Sequence, residues 1–406
     1  MSRALHPTTA PISKNEGTDK LFCLSLHFVT VPIHIRRPLL ALALFSMLTH
    51  FGACSMDTPA HWLDDPAHES RHDFSPVASL INNWMEHGYY KGASLAVALN
   101  GHVIFVRSFG THTPSTVEYI ASSGKWLAAA AIMAVVDEGK LSLDDPASKW
   151  LPELGEAKGR ATLRQMLAHT SGYPAYQPNG KPSDNYQTLA ESAANLAPLP
   201  LDSEPGAKWN YGGLALQAAG RMAELATQKN WETIFQEKIA CPLGMKDTHF
   251  TPVDIGFGHT PMLGGGARST LNDYVRFLAM LASGGMYEGQ RVLSEKSIAA
   301  MQADQVLGAT LGNNFIANVR GGKHNGIYGL GEWRESEDAT GRALLISSPS
   351  WAGAYPWIDK QHNVYAVFIA HVDVKAAGKD KFEAMRASAE LPVLVGQVID
   401  AEKGRK

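Results

Sequence analysis

The sequence has little cysteine and no excess of positive charge. Cysteine occurs three times in 406 residues, and two of the three, Cys23 and Cys54, lie within the first sixty. Three cysteines are too few for a disulfide framework, so the folded part is predicted to carry one unpaired thiol. The formal net charge is -3, and the chain has no dense run of lysine and arginine. It therefore lacks the basic surface that would attract nucleic acid as a partner.

The sequence also has no hydrophobic run long enough to cross a membrane. The apolar run from Leu39 to Leu48 has only about half of the roughly 20 residues that a spanning helix needs. It follows Arg36 and Arg37 and leads through small residues to Cys54, which is the order of an export signal over residues 35–55. A buried helix is the alternative interpretation of this run. The polar residues that follow it offer such a helix no partner surface.

Residues 51–54, Phe-Gly-Ala-Cys, resemble a bacterial lipoprotein cleavage site, at which the cysteine becomes lipid-modified. Cys54 is therefore a lipidation candidate, although Phe51 stands where leucine is usual. We expect an exported protein that is periplasmic or, if Cys54 carries a lipid, attached to the membrane through its N-terminus. Residues 1–34 are interpreted as an N-terminal extension, and residues 56–75 as a linker.

Secondary-structure signals begin at about residue 76. With 45% hydrophobic residues, the chain can bury a large core. Apolar residues repeat at three and four positions over residues 76–88, which predicts a helix. Two strand-like runs, Ala93 to Leu99 and Val103 to Phe109, flank Asn100-Gly101 and predict a hairpin. Residues 123–138 are rich in alanine and aliphatic residues and predict a buried helix.

Strands are predicted at both ends of the chain, with helices between them. Residues 140–255, approximately, alternate helical segments with Pro/Gly loops and predict a helical lobe. Three strands (343–347, 355–358 and 364–371) and a final helix (382–399) are predicted downstream. The simplest fold is an α+β fold, or α/β sandwich, over residues 76–400. In it, an antiparallel sheet from the N- and C-terminal strands is flanked by helices and faces the lobe across a cleft.

Ser122-Ser123-Gly124-Lys125 is the only Ser-x-x-Lys sequence in the chain. It follows a strand-like run and begins the predicted helix, so Lys125 would lie one turn after Ser122 on the same face. A serine hydroxyl is a poor nucleophile until a base takes its proton, and a nearby amine can be that base. Amide groups at a helix start also favour a developing oxyanion. Local sequence leaves a second interpretation open, in which Ser122 is only the helix N-cap.

Segments spread along the chain resemble the serine β-lactamase-like superfamily, which includes class C β-lactamases, D-alanyl-D-alanine carboxypeptidases and related esterases. Besides Ser-x-x-Lys, the matching segments, in the family's order, are DEGKLSLDDPASKWLPEL (137–154), LRQMLAHTSGY (163–173), PGAKWNYGG (205–213), CPLGMKDTHF (241–250), GGGARSTLNDYVRFLAMLASGG (264–285) and WAGAYPWID (351–359). The resemblance implies catalytic roles for Ser122, Lys125 and Tyr211. It also implies an oxyanion hole made by the backbone amides of Ser122 and Trp351. Whether Lys125 or Tyr211 is the base stays open.

Two departures from the family pattern concern substrate binding. Where family β-lactamases have Tyr-x-Asn, this chain has Tyr211-Gly212-Gly213, so Gly213 replaces an amide side chain. The third family motif falls on Ser348-Pro349-Ser350, which lacks the usual cation that helps to hold a substrate carboxylate. The candidate substrate-binding residues are Tyr173, Gly213, Ser348 and Ser350. The missing cation favours a neutral ester or amide substrate.

The prediction of a neutral substrate holds only if no other residue supplies the missing positive charge. Arg320, Lys323 or Arg342 could supply the missing charge from elsewhere. His169, in the His-Thr-Ser-Gly turn, is interpreted as a hydrogen-bonded structural residue rather than a catalytic base. Tyr173 and Tyr176 could either line the cleft or pack beneath it.

Other hydrolase classes lack their signatures in this chain. No two histidines form His-x-His, and no serine lies in a Gly-x-Ser-x-Gly frame. We therefore predict neither a metal nor a cofactor. The sequence favours a serine acyl-hydrolase that forms an acyl-enzyme with a small neutral ester or amide. A β-lactamase or D-alanyl-D-alanine carboxypeptidase is the first alternative, and a non-catalytic binding protein of the same fold is the second.

Overall fold

The computed structural model describes residues 72–178, 187–250, 261–312, 314–321 and 326–403. The N-terminal extension, the export signal, Cys54 and most of the linker predicted from the sequence lie outside these residues, as does Lys323. In the part that the structure describes, no helix is long and apolar enough to cross a membrane.

Ten strands are described, in two short ribbons and one larger sheet. They are β1 (Tyr90–Leu99), β2 (His102–Gly110), β3 (Glu118–Ala121), β4 (Ala267–Ser269), β5 (Met286–Tyr287), β6 (Gln290–Arg291), β7 (Trp333–Glu337), β8 (Ala343–Ser347), β9 (Tyr355–Asp359) and β10 (Val364–Val372).

The α-helices are α1 (Ser75–Glu86), α2 (Gly124–Asp137), α3 (Gly155–Gly159), α4 (Leu163–Leu167), α5 (Leu189–Leu196), α6 (Leu214–Thr227), α7 (Trp231–Phe235), α8 (Cys241–Leu243), α9 (Leu271–Ala282), α10 (Glu295–Gln302), α11 (Phe315–Val319), α12 (Val374–Asp380), α13 (Ala384–Ser388) and α14 (Glu390–Lys403).

The main sheet is antiparallel and has the order β2-β1-β10-β9-β8-β7. Its centre joins the two ends of the chain, because β1 pairs with β10, with Leu95 opposite Phe368. The β1–β2 turn takes positive φ at both Asn100 (54°) and Gly101 (82°), as expected for a hairpin with Asn-Gly at its tip. The predicted antiparallel sheet of N- and C-terminal strands is therefore confirmed.

The sheet separates two hydrophobic cores. On one face, α1 and α14 pack against residues such as Leu95 and Phe368. The other core contains α2 and α9 together with the helices between β3 and β4, and it takes Ala96 and Val367 from the same two strands. Successive strand residues point to opposite faces, so both faces of β1 and β10 are apolar and buried. Helix α2, which follows Ser122, thus lies within the second core.

The C-terminal helix differs from its prediction. Residues 382–399 were expected to form one helix, whereas the structure has α13 and α14 with a break at Ala389. Phe382 lies outside the helices, before α13, and its ring stacks on that of Tyr89 with 4.0 Å between the centroids. Lys381, which ends α12, has a φ of 55°. This apolar contact fixes the chain reversal that precedes α13.

Candidate active site

The candidate nucleophile lies in a turn between β3 and α2. Ser122 follows Ala121, whose φ of 44° is rare for a residue other than glycine and is typical of strained functional turns. The helix begins at Gly124, two residues later than Ser122. Ser123 is the N-cap residue, and its hydroxyl donates to the carbonyl of Ser348 at 2.6 Å rather than capping the helix. Ser122 is therefore not the N-cap residue, contrary to the second interpretation of its position.

Lys125 lies directly beside Ser122. Its Nζ is 3.1 Å from the Ser122 Oγ, and the side chain is only 1% exposed. Burial disfavours the charged ammonium and lowers the pKa of Lys125 to about 8, partly offset by the interaction with Tyr176. A neutral amine is therefore accessible near physiological pH at hydrogen-bond distance from a serine hydroxyl.

Tyr211 lies on the other side of Lys125. The Lys125 Nζ is 4.5 Å from the centroid of the tyrosine ring. Burial raises the pKa of Tyr211 to about 12, and interactions with Ser122 and Trp333 partly oppose that rise. The phenol therefore keeps its proton at neutral pH. Tyr211, which is far from Ser122 and Lys125 in the sequence, thus meets both of them at one point in the structure.

Two glycines determine how Lys125 is held. The lysine Nζ donates a second hydrogen bond to the carbonyl of Gly264. A Cβ atom added to Gly264 would lie 2.7 Å from the Cα of Gly213, so the two backbones approach too closely for a side chain at Gly264. Gly213 precedes α6, and its amide donates to the Ala175 carbonyl at 2.7 Å. The Gly264 carbonyl thus binds the Lys125 amine. In the family pattern, an asparagine side chain would stand nearby, at the position of Gly213.

His169 packs against the site without titrating in it. Its Nε2 is 3.3 Å from the hydroxyl of Tyr328, and its ring centroid is 4.6 Å from that of Tyr211. Burial, together with the charge of Lys125, lowers the pKa of His169 well below its usual range. The ring is therefore neutral. This geometry agrees with the structural role predicted for His169.

The loop between β8 and β9 closes the site from the side of the main sheet. β8 ends at Ser347, before Pro349, as expected because proline cannot donate to a strand pair. The Ser348 hydroxyl is 3.4 Å from the carbonyl of Ser122, which brings the loop against the nucleophile turn. Trp351 lies at the tip of the loop and is 51% exposed. In the described part of the chain, no group accepts a hydrogen bond from the backbone amide of Ser122 or of Trp351.

Two of the predicted substrate-binding side chains do not face the cleft. Tyr173 is 2% exposed in the core, and its hydroxyl donates to the Lys158 carbonyl at 2.9 Å. The Ser350 side chain is fully buried, and its Oγ accepts from the amide of Ala352 at 3.0 Å. Both hydroxyls therefore stabilise loops instead of contacting a substrate. Tyr176 is the exposed tyrosine of that segment, and its interaction with Lys125 places it near the site.

The described cations that were considered as replacements for the third motif are already neutralised. Arg320 pairs with the buried carboxylate of Glu335 at 2.7 Å. Arg342 is exposed and pairs with Asp338 at 3.2 Å. Neither of them leaves a free charge for a substrate.

The sequence did not reveal Trp333 as part of the site. This residue begins β7, a strand that was not predicted because Arg334, Glu335 and Glu337 make it polar. Its ring centroid lies 5.2 Å from that of Tyr211, and it is 3% exposed. In the sequence, Trp333 stands out only as a tryptophan close to the glycine-rich run 329–331. That pattern does not indicate that its ring contacts Tyr211.

The fold and this site can be compared with known proteins. A family model described as Beta-lactamase matches residues 77–390. A β-lactamase-like protein of known structure from Bacteroides dorei DSM 17855 is 48% identical, with a TM-score of 0.78, and the match covers 81% of this chain and 99% of that one. The structural relationship therefore includes nearly all of the described domain.

Curated relatives include two enzymes. D-alanyl-D-alanine-carboxypeptidase/endopeptidase AmpH from Escherichia coli K12 is 28% identical over 229 residues, 52% of this chain and 58% of the relative. Esterase EstB from Burkholderia gladioli is 28% identical over 227 residues, 50% of this chain and 56% of the relative. The matches thus span little more than half the length of these two enzymes. Because the family model matches most of the chain, the protein belongs to the β-lactamase family.

Proposed function

We propose that the protein is a serine acyl-hydrolase in which Ser122 forms an acyl-enzyme. The observation that carries this proposal is the 3.1 Å contact between the Lys125 Nζ and the Ser122 Oγ, made by a lysine with a pKa of about 8. A base at hydrogen-bond distance is what activates a serine hydroxyl. The strained turn at Ala121 presents that hydroxyl in front of the helix.

In this mechanism Lys125 is the general base and Tyr211 is the proton donor. The neutral amine of Lys125 takes the Ser122 proton while the Oγ attacks the substrate carbonyl carbon. Tyr211, with a pKa of about 12, keeps a proton that it can give to the leaving group, and Lys125 at 4.5 Å from its ring can replace that proton. Water then attacks the acyl-enzyme, with the same groups working in reverse. The second product is released and Ser122 is restored.

The oxyanion would be stabilised by the backbone amides of Ser122 and Trp351. Both amides lack an acceptor among the described residues, so both are available to a ligand. The Ser348 contact with Ser122 holds the two segments together. Two amide donors aimed at a developing negative charge are the usual means of stabilising a tetrahedral intermediate.

The substrate proposed is a small ester or amide whose portion near Ser348 and Ser350 is neutral. These serines provide no cation, and Arg320 and Arg342 are occupied by carboxylates. The similarity to Esterase EstB supports an ester substrate. The similarity to AmpH makes peptidase activity the second candidate.

A substrate panel with a Ser122→Ala control tests this function. Short-chain aryl esters should be hydrolysed by the native protein and left intact by the variant. A chromogenic cephalosporin should be hydrolysed slowly or not at all. Turnover of the cephalosporin at ordinary β-lactamase rates would contradict the preference for esters. Unchanged ester turnover in Ser122→Ala would contradict the serine mechanism.

We also propose that the protein is exported, on the basis of Arg36, Arg37 and the apolar run that follows them. Cell fractionation of the native protein and of Cys54→Ser tests this. Export with lipidation predicts a membrane-bound native protein and a soluble exported variant. Recovery of the native protein in the cytosol with its N-terminus intact would contradict export.

A further inference from the structure

We propose that the site binds an anionic group of its substrate through Arg268, which makes the preferred substrate a monoester or monoamide of a dicarboxylic acid. This inference rests on the proposed function, because it concerns the acyl group that Ser122 would accept. The third family motif, at Ser348-Pro349-Ser350, has no cation. The proposal instead assigns that positive charge to Arg268, in a different part of the site.

Arg268 lies across a two-stranded ribbon from the segment that leads to the nucleophile. β3 and β4 pair antiparallel, with Tyr119 opposite Arg268 and Ala121 opposite Ala267. Directly opposed residues project from the same face of such a ribbon. The guanidinium carbon of Arg268 accordingly lies 6.0 Å from the centroid of the Tyr119 ring. The arginine is therefore held beside the strand that delivers Ser122.

Among the residues that the structure describes, Arg268 has no carboxylate partner. No carboxylate within the described ranges lies within salt-bridge distance of its guanidinium, and its buried Nε has no hydrogen-bond acceptor. The acidic residue of the ribbon, Glu118, pairs instead with His112 at 3.0 Å and His371 at 3.4 Å. A half-buried arginine with an unsatisfied donor favours an anion, since a guanidinium matches a carboxylate in shape and charge.

Tyr119 connects Arg268 to the reacting centre. Its ring centroid is 6.2 Å from that of Trp351, whose amide is proposed to bind the oxyanion. Its hydroxyl lies 3.9 Å from the position that a Cβ on Gly265 would occupy, beside the Gly264 carbonyl that holds Lys125. Two residues, Ile120 and Ala121, lie between Tyr119 and Ser122, so the Cα atoms of Tyr119 and Ser122 are at most about 10 Å apart. A dicarboxylic acyl chain is of the right size to bridge such a distance.

The position of Tyr211 indicates which part of the substrate carries the anion. Tyr211 is proposed to protonate the leaving group, so the leaving group lies toward Tyr211. Arg268 lies on the β3–β4 ribbon beside Tyr119, and the proposal assigns the acyl chain to that side. The carboxylate is therefore expected on the acyl chain, separated from the reacting carbonyl by a short methylene spacer.

Matched aryl esters test the proposal. Aryl monoesters of succinic, glutaric and adipic acid are compared with aryl esters of neutral acids of the same chain length, using kcat/KM. The native protein should prefer a charged ester, and Arg268→Gln should lower kcat/KM for that ester by roughly tenfold or more, the effect of losing a charged hydrogen bond. Turnover of the neutral esters should change little. Arg268→Lys should restore part of the preference.

Arg342→Gln is the matched control, because Arg342 is exposed and already paired with Asp338. It should leave both rates unchanged. Equal turnover of charged and neutral esters, unaltered in Arg268→Gln, would overturn the anion site while leaving the esterase function intact. Absence of turnover with every ester would instead contradict the proposed function.

Binding of free glutarate, measured by calorimetry, separates the two proposals further. If the anion site is correct, the native protein binds glutarate and Arg268→Gln loses that binding, whether or not esters are hydrolysed. Equal glutarate binding by both proteins, or none by the native protein, would overturn the proposal. The melting temperature of Arg268→Gln shows whether that variant is folded.

Discussion

The Lys125 Nζ lies 3.1 Å from the Ser122 Oγ, and the lysine side chain is almost completely buried. Water is therefore excluded from the amine while the serine hydroxyl stays partly accessible. Burial costs the ammonium form its hydration, which is the main reason that the pKa of Lys125 falls to about 8. The structure thus places beside the Ser122 hydroxyl an amine that can lose its proton near neutral pH.

The pH dependence of kcat/KM should follow the ionisation of Lys125. Only the deprotonated amine can take the serine proton, so kcat/KM should rise with pH and reach half of its maximum at about pH 8. Below that pH, activity should fall about tenfold per pH unit, as for the loss of one essential base. Ester hydrolysis measured from pH 5 to pH 10 checks this expectation.

Lysine variants supply the control for that profile. Lys125→Met should lower kcat/KM by about 10²–10⁴, the usual contribution of a general base. Lys379→Met, at an exposed position of α12, should leave the profile unchanged. A native kcat/KM that is constant or falls between pH 6 and pH 9 would rule out Lys125 as the base.

Gly264 and Gly265 provide a second prediction through a matched pair of substitutions. Gly264→Ala places a Cβ 2.7 Å from the Cα of Gly213, so the backbone must move and displace the carbonyl that binds Lys125. A displacement of about 1 Å at a catalytic group can cost about a hundredfold in rate. In Gly265→Ala, the nearest atom to the added Cβ is the flexible Met262 Cε at 3.2 Å.

Ester turnover and melting temperature of both variants test this difference. Gly264→Ala should lose most of its activity, whereas Gly265→Ala should retain most of it. Similar activity in the two variants would show that the Gly264 carbonyl does not position Lys125.

Glu332 should make folding stability depend on pH. This carboxyl is fully buried, and neither of its oxygens has a hydrogen-bond partner in the described part of the molecule. Glu332 adjoins Gly331, where an added Cβ would lie 2.8 Å from the Lys125 carbonyl, so Glu332 lies next to α2. Burial raises the pKa of Glu332 to about 8, partly offset by Lys360, Trp126 and Arg334.

The sign of the effect follows from the two pKa values. Between the ordinary value of 4.5 and about 8, the folded protein holds a proton on Glu332 that the unfolded chain has released. Stability should therefore fall as pH rises through this window, and the loss should be complete above it. Glu332→Gln removes the ionisation and should raise the melting temperature more at pH 9 than at pH 5.

Thermal denaturation at both pH values tests the Glu332 prediction. Glu153→Gln, at an exposed position, is the control and should show no such difference between the two pH values. An equal or larger stabilisation of Glu332→Gln at pH 5 would contradict a buried neutral carboxyl.

The local patterns of the chain predicted much of the fold. Asn100-Gly101 predicted the β1–β2 hairpin because both residues accept positive φ. The run rich in alanine and aliphatic residues predicted α2 as a buried helix, and nearly all of its residues are buried in the structure. β7 was missed because its polar residues, including Glu335, are satisfied by partners such as Arg320 that lie elsewhere in the chain. The sequence of a single strand does not show which distant residues will pair with its polar side chains.

The candidate site was predictable only in part for a related reason. Ser122 and Lys125 are one helical turn apart, so their proximity follows from local geometry. Tyr173 was expected in the cleft, but its burial depends on how its loop packs on Lys158. The position of Arg268 beside Tyr119 depends on the β3–β4 pairing, which joins segments about 150 residues apart and has no local signal.

Covalent labelling of Ser122 tests the central claim most directly. The native protein is incubated with a fluorophosphonate, digested and analysed by mass spectrometry, beside Ser122→Ala and Ser123→Ala. The account predicts one adduct on the peptide that contains Ser122, retained in Ser123→Ala if that variant folds and absent from Ser122→Ala. An unlabelled native protein, or an adduct that persists in Ser122→Ala, would contradict it.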